Sequence, residues 1–193
     1  MTQAAFVSSS AHKALSLAEA LDFPRLDLVR LSPENPLLRR LAVTQDLEED
    51  IWRDVTTWME TDTSAVGRLR ELRREYYRLF LRTERGLSVY LHDWYPDLPA
   101  HEFLSDWRQF LDSIQLVRTT GWRNGADHVS LCLEAFAHLA LSDPSRVTRF
   151  RKVYLEAWFN VFAGRLGNEA RSPFYRAAAR LAGGLGRDLE ALA

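Results

Sequence analysis

From about residue 44 onward, apolar residues recur three and four positions apart, the spacing that lines one face of an α-helix. Leu47, Ile51, Val55, Trp58 and Met59 make one stripe, and Leu69, Leu72, Tyr76, Leu79 and Phe80 a second. Phe103, Trp107, Phe110, Leu111 and Ile114 make a third; Val147, Phe150, Tyr154, Trp158, Val161 and Phe162 make another. The breaks between them carry helix-start chemistry. Pro99 suits a first helical turn, Asp143 with Pro144 reads as a cap and first residue, and Ser172 with Pro173 does the same before the last helix. No stretch alternates with period two, and no Asn-Gly or Asp-Gly pair joins two strand-like runs. The expected class is all-α.

One helix should differ from the rest. Val129, Leu131, Cys132, Leu133, Ala135, Phe136, Ala137, Leu139 and Ala140 leave the segment 129–141 little polar face, which describes a central helix buried on most sides. Asp127 falls where an N-cap is expected, its carboxylate accepting free N–H groups of the first turn. His128 falls in that turn, where the positive end of the helix dipole disfavours an imidazolium and predicts a neutral ring. The first 43 residues read differently: Pro24, Pro33 and Pro36 cut them into short helices at best. The chain therefore divides into an irregular segment, 1–43, and a helical domain, 44–193.

At 193 residues, 47% hydrophobic and 26% charged, the chain can bury a core, and disorder is excluded. A formal net charge of −1 gives no global field for nucleic acid or an anionic membrane, so recognition must be local. The lone Cys132 rules out an intramolecular disulfide and fits a reducing cytoplasm. No window reaches the roughly 20 apolar residues of a spanning helix, and the N-terminus lacks an uninterrupted signal core.

Catalytic signals are missing. Cys132 lies inside an apolar helix, no Gly-x-Ser-x-Gly elbow occurs, and His12, His92, His101, His128 and His138 show no paired metal-ligand spacing. The glycines of "GRLGNEAR" and "GGLGRD" lack a phosphate-loop ending. The reading is a protein that is not an enzyme and carries no metal.

Charge and aromatic patterning say more. Seven acids lie between Asp46 and Asp62 against Arg53 alone, and seven arginines between Arg68 and Arg85 against three glutamates. Either two neighbouring helices complement each other, or the acidic one meets a cationic partner. The linker "GLSVYLHDWYPDLP" places Tyr90, Trp94 and Tyr95 among His92, Asp93 and Asp97. Such a loop either plugs the core with its rings or receives an arginine-bearing apolar peptide by stacking and carboxylate pairing.

"EYYRLF" (75–80), "GLSVY" (86–90), "ADHVSLCLEAFAHL" (126–139), "VYLEAWFNVF" (153–162) and "SPFYRAAARL" (172–181) resemble, in order and spacing, the landmarks of the TorD/DmsD family. That family comprises cytoplasmic all-helical chaperones for molybdenum-containing oxidoreductases. The resemblance covers roughly residues 70–182. It implies a TorD-like fold and a chaperone that binds an apo-molybdoenzyme catalytic subunit and its twin-arginine leader peptide before cofactor insertion and export. It points to Tyr77, Phe80, Ser88, Tyr90, Asp127 and His128 as peptide-binding positions, to which the loop reading adds Trp94 and Asp97. Ala126 stands where the family pattern has proline, Cys132 where glutamate is usual, and Tyr154 where the later helix often has histidine. Family members are also described as binding guanine nucleotides or the molybdenum cofactor; no residue pattern assigns either here, so no cofactor is expected. The expected state is a monomer or homodimer without nucleic acid or stable membrane insertion. The alternatives are an assembly factor that grips a folded partner without reading a leader, and a helical ligand-sensing regulator, which should show a basic helix-turn-helix that this chain lacks.

Overall fold

The computed structural model describes residues 3–29, 49–61, 63–82, 86–116 and 125–191. In chain order the helices are α1 (Gln3–Leu21), α2 (Glu49–Glu60), α3 (Ala65–Tyr76), α4 (Ala100–Ser113), α5 (Val129–Ser142), the short α6 (Val147–Phe150), α7 (Phe159–Glu169) and α8 (Pro173–Ala191). π-Helical turns follow α3 at Tyr77–Leu81 and α6 at Arg151–Leu155. Among the described residues no strand forms, and the class is all-α as the spacing predicts.

α5 is the central helix. Ten of its residues are buried, Val129 through Leu133 in an unbroken run, so it has no solvated face along its first turns. α1 packs along it, and α8 packs on α1 and α7. Burial on this scale stabilises the fold by about 25 cal/mol for each Å² of apolar surface removed from water.

α1 corrects the expectation of short helices before residue 43. It is a single helix of 19 residues whose Ala11, Ala14, Leu17, Ala18 and Leu21 join the main core. The prolines used to argue against it begin at Pro24, past its end, and its buried face is built from Ala and Ser, which weakens the apolar stripe while letting the backbones approach closely. Ser10 Oγ and Lys13 Nζ both contact Asp188 Oδ2 on α8, each at 3.0 Å, in a nearly buried setting that fixes α1 against α8. Residues 30–43, and Leu47 of the first stripe, lie outside the described residues.

The helix starts follow the sequence in part. Ser172 Oγ accepts from Tyr175 N–H at 3.2 Å ahead of Pro173. Asp143 occupies the cap position before Pro144, but its carboxylate accepts from the Ser145 hydroxyl instead of a backbone N–H. α4 ends in a Schellman arrangement, with Leu116 N–H donating to Leu111 O and Gln115 N–H to Asp112 O, both at 3.1 Å, and Gln115 at φ 58°.

The stripe expected to run unbroken from Val147 to Phe162 is interrupted. The wide turn at Arg151–Leu155 shifts the helical register, α7 restarts at Phe159, and Val161 is left 55% exposed while Trp158 and Phe162 are buried. Carbonyls around the wide turn find side-chain donors: Tyr95 OH donates to Val153 O at 2.9 Å, and Trp158 Nε1 to Tyr154 O at 2.6 Å.

Among the described residues, the buried face of the acidic helix packs on α8; Asp46, Glu48 and Asp62 lie outside the described residues. Val55 and Met59 of α2 pack on Ala177 of α8, with the Trp58 ring 6.5 Å from that of Phe174. Two of the four arginines of α3 bind backbone: Arg68 Nε donates to Val29 O at 3.2 Å and Arg73 Nε to Pro24 O at 3.1 Å.

Asp188→Ala removes the acceptor shared by Ser10 and Lys13, and should destabilise the protein by about 1–3 kcal/mol. Denaturant unfolding checks this; an unchanged midpoint would mean the contact does not secure α1.

Candidate functional site

The connection after the π-helical turn is sewn to the fold by backbone bonds. Leu87 N–H donates to Leu79 O at 2.7 Å, on the inner side of that turn. Two residues on, Val129 N–H donates to Val89 O and Leu91 N–H to Asp127 O, each at 2.8 Å. These two bonds form an isolated antiparallel bridge between Tyr90 and His128. The bridge lays the loop across the N-terminal mouth of α5, and Val129 N–H, which has no partner within its own helix, is satisfied by it.

His128, not Asp127, caps α5. Its backbone is extended, and its Nδ1 accepts from Ser130 N–H at 3.2 Å. Asp127 lies one residue too early and turns outward to the loop, where its Oδ2 accepts from His92 Nδ1 at 2.5 Å. It is 4% exposed and acts as a buried pin for the loop, where an N-cap was expected. The turn before it is held without the family's proline: Trp107 Nε1 donates to Ala126 O at 2.6 Å. Gly125 keeps this turn close-packed: a Cβ there would lie 3.0 Å from Asp127 Oδ1 and 3.2 Å from the Tyr90 ring, so both side chains would have to shift.

The His128 ring is neutral, as expected, though burial is the larger cause. Desolvation lowers its pKa to about 4, against the opposing pull of the Asp22 and Asp127 carboxylates. Asp22 sits just past α1, so the N-terminal helix reaches this site. With Nδ1 accepting, the proton sits on Nε2, which is buried and has no hydrogen-bond partner among the described residues.

Around this bridge lie most of the residues singled out in the sequence. Ser88 Oγ accepts from Tyr90 N–H at 3.1 Å and donates to Asp93 Oδ2 at 2.5 Å. The Tyr90 ring meets the His128 ring edge-on, 6.0 Å away. Trp94 donates from Nε1 to Ser88 O and rests its ring 6.2 Å from Trp158 and 6.4 Å from Phe162. Phe80 is buried behind them, stacked on the same Phe162 at 6.3 Å. The loop aromatics are thus half-buried against the core while keeping an outer edge, so the core-plugging reading of the linker holds in part.

Two expected residues stand apart. Asp97 is exposed on the turn before α4. Tyr77 is 61% exposed and lines a different groove, on the outer side of α3.

Two further groups belong to the cluster and were not selected from the sequence. His92 stands between carboxylates, with Nδ1 on Asp127 and Nε2 3.2 Å from Asp93 Oδ1. The Asp93 side chain is 49% exposed and is the carboxylate this cluster offers to solvent. The "HD" pair in an aromatic loop was the available signal; its link to Asp127 depends on a bridge that spacing does not reveal. Among the described residues no group of His, Cys, Asp and Glu could hold a metal ion, and no helix is long and apolar enough to cross a membrane. Burial holds the Cys132 thiol well above its ordinary pKa.

The family model described as nitrate reductase delta subunit matches residues 43–168. The chain belongs to that family. The delta-subunit family is one of TorD-type maturation chaperones, in agreement with the resemblance read from the landmarks, and membership supports a chaperone role in molybdoenzyme assembly with a molybdoenzyme catalytic subunit as partner. The match takes in the loop, the bridge and α5 and ends within α7, short of α8. No curated protein matches the chain.

A buried neutral His128 makes stability depend on pH. Its folded pKa, about 4, lies below the ordinary histidine value of 6.5, so the unfolded chain binds the extra proton between those values. The neutral-ring contribution is complete above pH 6.5 and is lost as pH falls towards 4, amounting to about 3 kcal/mol at most. His128→Asn keeps a good N-cap and removes the titration. Its stability should fall less steeply than wild type between pH 6.5 and 4 in denaturant titrations; parallel curves would contradict the assignment.

Proposed function

We propose that this delta-subunit family member holds the twin-arginine leader of its apo-molybdoenzyme client in the cytoplasm until the cofactor is inserted. The observation that carries the proposal is the convergence of Ser88, Asp93, Trp94 and Asp127 on the Tyr90–His128 bridge. A leader offers guanidinium groups followed by an apolar run, so its receptor needs a carboxylate beside aromatic walls. Asp93 supplies the reachable carboxylate, oriented from both sides by the Ser88 hydroxyl and the His92 ring. Asp97, exposed four residues on, is our candidate for the second arginine. Tyr90 and Trp94 supply rings for stacking and apolar contact. Asp127 and His128 then act by holding the loop in place, and Phe80 by supporting it from the core. No bond is made or broken in this scheme. Covering the leader's apolar run would keep it from export while the client folds.

Calorimetric titration with a twin-arginine leader peptide, against a control with both arginines replaced by alanine, tests the reading. Saturable binding that is weakened in the control is expected. Asp93→Asn should weaken wild-type leader binding by about 1.5–3 kcal/mol, the worth of a charged hydrogen bond. Absence of leader binding while the intact client still co-purifies would overturn leader recognition and leave an assembly factor that grips a folded partner.

A further inference from the structure

α3 carries a second surface that the leader site does not use. On its outer side Val66 and Tyr77 are 58% and 61% exposed, and with Leu69, Arg70, Arg73 and Arg74 they line an open groove of about 510 Å³. These positions are spaced three and four apart, so they form one continuous face, apolar at both ends and cationic between. No acid lines it. Glu75 is buried on another side of the helix, accepting from Arg171 N–H at 2.6 Å and Ser172 N–H at 3.0 Å. Arg73 is held in place by Pro24 O and lies over the Phe23 ring, 5.1 Å from its centre. Arg70 and Arg74 are exposed and make no hydrogen bond or ion pair among the described residues.

Exposed arginines between an exposed tyrosine and a valine combine the residue types that most often anchor protein interfaces with a net positive field. Guanidinium groups pair with carboxylates in two-pronged fashion, and the flanking apolar side chains need an apolar counterpart. A leader's arginines would be repelled here. The chain's own acidic helix, α2, on a second copy would bring carboxylates, but its Val55 and Met59 are already packed on α8. We infer that this face of α3 docks an acidic amphipathic helix of a partner protein, one with glutamates or aspartates beside an apolar stripe. The contact is separate from the leader site, and either could fail without the other.

The probe is a labelled helical peptide of about 18 residues, five turns, with leucines along one stripe flanked by glutamates. Its control carries lysine in place of every glutamate. Fluorescence anisotropy should show saturable binding of the glutamate peptide alone. The double variant Arg70→Glu/Arg74→Glu should weaken it about tenfold or more, near 1.4 kcal/mol per decade. Tyr77→Ala should also weaken it. Arg180→Glu, an exposed charge change on α8, and Asp93→Asn should leave it unchanged. Thermal unfolding by circular dichroism checks that each variant folds. No binding, equal binding of the double variant, or an equal loss in Arg180→Glu would overturn the proposal. A wild-type dimer in light scattering that dissociates in the double variant would overturn it in favour of a second copy on this face.

Discussion

The candidate site depends on the antiparallel bridge between Tyr90 and His128. Two 2.8 Å backbone bonds attach an otherwise irregular loop to the mouth of the most buried helix in the protein. Without them Ser88, His92, Asp93 and Trp94 would sit on a connection free to wander, since a loop has few internal bonds of its own. With them, the loop gains the rigidity of α5. The side chains at the bridge reinforce it from both strands: His92 reaches back to Asp127, and Trp94 folds over to Ser88 and the core.

The arrangement satisfies the start of α5 and shapes the surface proposed for recognition. The first N–H groups of α5 need acceptors in a place without water. Val89 O and His128 Nδ1 supply two of them. Because these acceptors occupy the helix mouth, Asp127 is left to reach the loop, and the negative charge presented outside passes to Asp93. Desolvation keeps His128 neutral, which suits a cap that must accept through one ring nitrogen.

Much of the fold was legible in the spacing of apolar residues. The near-continuous apolar run at 129–141 identified the central helix, and Ser172–Pro173 marked the start of α8, because burial and capping leave local signatures. α1 was misread because its buried face is made of alanine and serine, whose small size is what close packing against α5 requires and what an apolar-stripe reading passes over. Val161 was misassigned because a wide helical turn changes the register without any residue that announces it. Ser88, Tyr90, Trp94, Asp127 and His128, singled out in the sequence, lie together around the bridge. The roles of the last two were misread: Asp127 was taken for the cap that His128 provides. Residue types favour aspartate at a cap, and only the bridge reveals that its carboxylate is committed to His92. Tyr77 fell on a different face for a simpler reason, since adjacent residues on a helix point about 100° apart and its neighbour Tyr76 takes the inward position.

The central claim is that the loop is fixed to α5 as part of the folded core. Native-state hydrogen exchange at the amides of Leu91 and Val129 tests it directly, because both are donors in the bridge. They should be protected to nearly the same degree as amides in the middle of α5, exchanging only when the protein opens globally. Exchange on the fast timescale of an open loop, with α5 still protected, would contradict the account.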